Sequence, residues 1–253
     1  MNMSDLGAEN RLEQLTQKFL KDYWYFSPTT GSRMGLHQYD GRLPELSPSR
    51  VRTRVGELRR SLGQLSGIAT DRLSKDQLLR YGLLDLLLRR ELFNLDEWRT
   101  LETNPMRQVG FLNVSGYVRR DYAPLVDRIR SAIKVLNHVP DFLEILKATL
   151  LPNLGRPVLE MSIESYRGMA RFYRVDLNQI KNYCSDKETI TLFDQARETA
   201  AEAVIKFVDF LQAMLDNNAL GDFAIGPNLY SGMLSTGEGI TIPLAAVSYT
   251  HLR

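Results

Sequence analysis

Residues Ser185–Asp216 read SDKETITLFDQARETAAEAVIKFVDFLQAMLD, and this stretch decides the fold. Phe193, Ala196, Ala200, Ala203, Phe207, Leu211 and Met214 recur at three- and four-residue spacing, which puts them on one face of a long α-helix. The alanines on that face let a neighbouring helix approach closely. Ser185 with Glu188 predicts a capping box at its start, and Asn217, Asn218 and Gly221 predict its end.

The same period repeats outward from this helix. Val158, Met161, Tyr166, Met169 and Phe172 predict the helix before it. Leu125, Ile129, Ile133 and Leu136 predict another that begins at Pro124, is broken or kinked at Pro140 and continues over 141–151. Near the N-terminus, Leu12, Leu15, Phe19 and Tyr23 mark a helix that stops before Pro28. Val51, Val55, Leu58, Leu62 and Leu65 form a stripe behind Ser47 as N-cap and Pro48 as first helical residue, with Arg52, Arg54, Arg59 and Arg60 expected on the solvated side. Ser74 and Gln77 form a capping box for a helix over 78–93 whose leucines surround most of its axis, a pattern that predicts central burial. Residues 29–47, 101–122 and 225–246 are glycine-rich or irregular. Convincing strands are scarce and the connections short, so the expected fold is mainly α: an irregular antiparallel helical array forming one domain over residues 1–246.

The bulk composition fits a soluble globular chain. Of 253 residues, 43% are hydrophobic and 25% charged, with a net charge of +2. That balance offers no pull toward nucleic acid or an anionic membrane, so neither is expected as a partner. No apolar run approaches a membrane span, the start lacks a secretory leader pattern, and the single cysteine, Cys184, fits a reducing compartment. A cytoplasmic location is the resulting expectation. The last seven residues, Val247–Arg253, match one reading frame of a transposon-derived sequencing adapter and are set aside as non-native, which implies a natural chain cut near Ala246.

Standard catalytic motifs are missing from the sequence. The histidines are His37, His138 and His251, and no His-Glu-x-x-His occurs, so no standard zinc site and no cofactor are expected in this chain. There is no Gly-x-Ser-x-Gly elbow and no phosphate-binding glycine loop. Glu160 and Glu164 share a helical face, which reads first as a solvated one. The most concentrated chemistry is His37-Gln38-Tyr39-Asp40-Gly41-Arg42-Leu43-Pro44. It reads either as a structural turn, with Asp40 paired to Arg42, or as a loop in which His37, Tyr39, Asp40 and Arg42 line a substrate cleft. A second cluster, Tyr117-Val118-Arg119-Arg120-Asp121-Tyr122, carries the same two readings.

Gly35–Ser47, reading GLHQYDGRLPELS, resembles the N-terminal signature of a bacterial family, domain of unknown function 885. Further pieces are similar in the same order: Phe19–Pro28, Glu91-Leu92-Phe93, Asn104-Pro105, Arg120-Asp121-Tyr122-Ala123-Pro124-Leu125, Ser162-Ile163-Glu164 and Phe223-Ala224-Ile225-Gly226. The family resembles helical zinc peptidases of the gluzincin kind, with a His-Glu-x-x-Pro-Gly-His-His signature in a C-terminal half that has no counterpart here. The resemblance therefore implies the N-terminal helical part of a larger zincin-like domain. It would wall a peptide cleft and be inactive without the zinc-binding half, with zinc and a peptide substrate belonging to the full-length protein. The alternative is a complete helical binding or scaffold module without catalysis. Removal of half a domain would uncover apolar surface, so a large exposed apolar face is expected.

Overall fold

A computed structural model describes residues 3–217, 221–244 and 246. The tail from Val247, with His251, and the helix-end residue Asn218 lie outside the described residues. The fold is mainly α. In chain order the helices are α1 (Met3–Phe26), α2 (Pro28–Arg33), α3 (Pro48–Ser66), α4 (Lys75–Leu92), α5 (Thr100–Thr103), α6 (Met106–Val109), α7 (Ser115–Arg119), α8 (Leu125–Thr149), α9 (Arg156–Arg171), α10 (Lys187–Asp216) and α11 (Gly226–Gly237). α4 and α9 each run on into a five-residue π turn, Phe93–Glu97 and Phe172–Asp176. Among the described residues there is no strand, only an isolated bridge between Gly155 and Gly221. A Cβ on Gly155 would lie 2.7 Å from that of Phe223, so this close approach needs glycine. No helix among the described residues is long and apolar enough to cross a membrane.

The described residues fall into two compact units. One draws on 24–48, 100–217 and 221–223, the other on 3–23, 49–99, 224–244 and 246. In the first, α10 packs against both α8 and α9. The inner face of α10 buries Phe193, Ala196, Ala200, Phe207 and Leu211 as its spacing predicts. Its cap differs from the expected one by a residue: Asp186, not Ser185, accepts from the Thr189 amide at 2.9 Å. That bond holds the Asp186 carboxyl below its usual range. α8 runs unbroken through Pro140, because Leu136, Val139 and Leu143 are buried on either side of it and packing outweighs the lost backbone bond. On α9 the buried set is Leu159, Ser162, Ile163, Tyr166 and Ala170, whereas Met161 faces solvent. Tyr166 meets Phe207 edge-on at 4.7 Å and donates to the Pro105 carbonyl, and Tyr173 donates to the Leu112 carbonyl at 2.6 Å. Burial raises both phenols above their ordinary range.

In the second unit, α1 buries Leu12, Leu15 and Phe19, and α3 buries Val55, Leu58 and Leu65. Two expectations fail here. Arg54, assigned to the solvated side, is 1% exposed. Its Nε and Nη2 donate to the two oxygens of Glu91 at 2.7 Å each, and Nη1 reaches Glu57 at 3.3 Å. Burial opposes the charge on Arg54, but the bonds and charges of Glu91 and then Glu57 outweigh it and raise the guanidinium pKa. The second failure is α4. Its capping box, Ser74 with Gln77, forms as predicted, yet only Leu84 and Leu88 are buried, while Leu78, Leu79, Leu83 and Leu87 are exposed, Leu79 by 72%. Leucines all round an axis do not specify burial; only the face that meets a neighbour is covered. Part of that cover is α11, which packs on α4 and its π turn and brings Gly232 against the Phe93 ring too closely for any added Cβ.

Candidate functional site

The glycine-rich stretch over 29–47 folds in part into α2 and a short 3₁₀ turn, His37–Tyr39. Gly41 follows at φ +76°, a left-handed conformation that favours glycine, and its amide donates to the Tyr117 hydroxyl at 3.0 Å. The turn thereby meets the second cluster, about 80 residues along the chain, within one unit.

Asp40 is the hub. Its Oδ1 accepts from Ser32 Oγ, whose oxygen in turn lies 3.2 Å from the Tyr117 hydroxyl. Its Oδ2 accepts from the Tyr122 hydroxyl at 2.7 Å and lies 3.1 Å from His37 Nδ1. The His37 ring stacks on Tyr122, centroids 3.7 Å apart and planes within 7°. Burial raises the pKa of Tyr122, and the bond to the Asp40 carboxylate raises it further, so this phenol stays a donor. Tyr117 is raised by burial, against the opposing pull of its bonds with Ser32 and Gly41. In the tautomer that donates from Nδ1 to Asp40, His37 keeps a lone pair on Nε2.

A second buried arginine fixes the loop between α7 and α8. Arg128 donates from Nε to the Ala123 carbonyl at 2.7 Å, from Nη1 to the carbonyls of Arg120 at 2.6 Å and Tyr117 at 3.2 Å, and from Nη2 to Asp121 at 3.0 Å. The chain from Tyr117 to Ala123 is thus wound around one guanidinium. Beside this frame opens a cleft of about 190 Å³, lined among others by Thr29, Arg33, His37, Arg119, Arg120 and Tyr122.

Of the four residues expected to line a cleft, His37 alone lines this one. Asp40 stands behind it and holds it. Tyr39 packs its ring on Gly31, and Arg42 is exposed with no ion pair to Asp40 among the described residues. Sequence reasoning found both clusters but not their meeting, and it missed Thr29, Ser32, Arg33 and Arg128. Only the aromatic and arginine content of 117–122 signalled anything. Glu160 and Glu164 are exposed, with Glu160 facing Arg156. No group of three or more His, Cys, Asp or Glu among the described residues is arranged to hold a metal ion, so the side chains described here do not fit the zinc that the family resemblance implies.

Residues 28–251 match the family described as bacterial protein of unknown function (DUF885), and the chain belongs to that family. The match runs into the stretch set aside as non-native. A solved structure of similar fold, at a TM-score of 0.83 and 18% identity, is that of a candidate lipoprotein of unknown function from Shewanella oneidensis. The alignment covers 94% of this chain and 44% of that one, so this chain spans less than half the length of the structure it matches. No curated protein matches the chain.

Proposed function

We propose that this chain forms a substrate-holding wall of a zinc-dependent peptidase whose metal ligands come from sequence outside it. The observation that carries the reading is the convergence of the His37–Asp40 turn and the Tyr117–Tyr122 loop on one cleft, with His37 oriented by Asp40 and stacked on Tyr122. Such a wall would bind and orient a peptide, and zinc held by residues outside this chain would supply the activated water. The resemblance of the family to helical gluzincins supports the choice of reaction. The full-length protein is expected to cleave a quenched-fluorescence peptide library with zinc and to lose turnover on chelation, and this chain alone to bind without turnover. A zinc-loaded full-length protein that cleaves no peptide would end the reading.

A second reading, a helical interaction module without catalysis, is favoured by the exposed leucines of α4. Concentration-dependent self-association that Leu79→Glu abolishes would support it. The single cysteine, Cys184, fits the expected cytoplasmic site of action, whereas the Shewanella protein is described as a lipoprotein. Fractionation of tagged full-length protein decides between them.

A further inference from the structure

We propose that the cleft beside α7 is an oxyanion site that takes the free carboxylate at a peptide C-terminus. The peptide rests on the peptidase reading above; the oxyanion rests on the cleft itself. Its lining includes Arg33, Arg119 and Arg120 together with His37, and the carboxylate behind it, Asp40, is bonded to Ser32, His37 and Tyr122 and to none of these arginines. No carboxylate neutralises these arginines among the described residues. Arg33 donates to the Thr30 hydroxyl at 3.3 Å, Arg120 donates to the Arg33 carbonyl at 2.6 Å, and Arg119 is exposed without an ion pair. Elsewhere Arg54, Arg59, Arg89, Arg174 and Arg197 each face a carboxylate. Cations gathered around a small space repel one another until an anion joins them, and guanidinium forks match a carboxylate geometrically.

A second, independent observation is Thr29. It lines the cleft, is 8% exposed, and its buried Oγ1 has no hydrogen-bond partner. A buried hydroxyl without a partner is costly, and because this oxygen is closed off from solvent, a carboxylate oxygen at the inner end of the cleft supplies the acceptor it lacks only with a small outward shift of the lining. The volume of about 190 Å³ suits the end of a chain rather than an extended segment.

The test uses this 253-residue chain and fluorescence anisotropy with three labelled peptides: one with a free C-terminus, the same sequence amidated, and the amide carrying an internal aspartate. Inorganic phosphate serves as competitor. The acid is expected to bind at least about tenfold more tightly than either amide, and phosphate to displace it. Arg119→Gln, which removes no internal bond, should weaken the acid about tenfold with an unchanged circular dichroism spectrum. Thr29→Val should keep or raise Tm, since a methyl tolerates that burial, yet weaken binding; a merely structural Thr29 would leave binding unmoved. Equal affinity for acid and amide, tight binding of the aspartate-containing amide, binding of phosphate but of no peptide, or no binding at all would each overturn the assignment. Binding needs no turnover. An inactive full-length protein therefore leaves a positive result standing, and an active peptidase whose chain ignores the C-terminus defeats this inference alone.

Discussion

Arg54 and Arg128 are both buried, one in each unit, and they satisfy the same guanidinium in opposite ways. Arg54 joins side chains, gripping Glu91 with two parallel bonds and Glu57 with a third. Arg128 joins backbone, holding the carbonyls of Tyr117, Arg120 and Ala123 and one exposed carboxylate, Asp121. The first is an ion-pair network between α3 and the end of α4, and its value is stability. The second is a mould for the loop carrying Tyr117, Arg119, Arg120 and Tyr122, and its value is the shape of the cleft. Buried charge alone does not reveal which role an arginine has; its acceptors do.

The largest test breaks the first arrangement from one side. Glu91→Ala strands the Arg54 charge and should cost about 3–5 kcal/mol in chemical denaturation, whereas a joint replacement, Arg54→Met with Glu91→Leu, should recover most of that loss. Ligand binding at the cleft should be untouched in any of these variants that remains folded. Arg128→Met should cost less, about 2–3 kcal/mol, because water can reach some of the freed carbonyls. It should nevertheless weaken binding at the cleft, and a variant that loses stability while binding normally would remove the moulding role. Tyr173→Phe, which loses one bond to Leu112, should cost about 1 kcal/mol. The related pH effect has a definite sign. Burial raises the Tyr166 and Tyr173 phenols above 10.0, so the stability they contribute is complete below that pH and is lost as the pH rises above it. Phenolate absorbance should therefore appear together with unfolding in an alkaline titration. The smallest effect is expected at α4: Leu79→Glu should change stability by no more than about 0.5 kcal/mol while reducing self-association in sedimentation.

Helical periodicity made most of the fold legible, because α8 and α10 repeat apolar residues on one face and that face is the one buried. It misled at α4, where leucine lies on several faces and only contact with α11 and other neighbours selects among them. It misled at Arg54 as well, since an arginine beside an apolar stripe reads as solvated until Glu91, 37 residues away, is brought to it. The site was half legible. His37 and Asp40 stood out as a concentration of chemistry, and so did the Tyr117–Tyr122 stretch, but their meeting depends on the Ser32–Asp40–Tyr122 bonds, which no local spacing encodes. Arg128 was invisible for the same reason: its acceptors are main-chain carbonyls, and these carry no sequence signature.

The packing of α11 on α4 has a consequence for biosynthesis. The polypeptide leaves the ribosome from its amino end, so α4 emerges long before the segment that covers it. At bacterial elongation rates that delay is on the order of ten seconds. Throughout it, the Phe93 ring lacks the cover that Gly232 later gives it, beside the leucines that stay uncovered even at the end. The nascent chain thus exposes the leucines of this helix early and withdraws only one side of it, late.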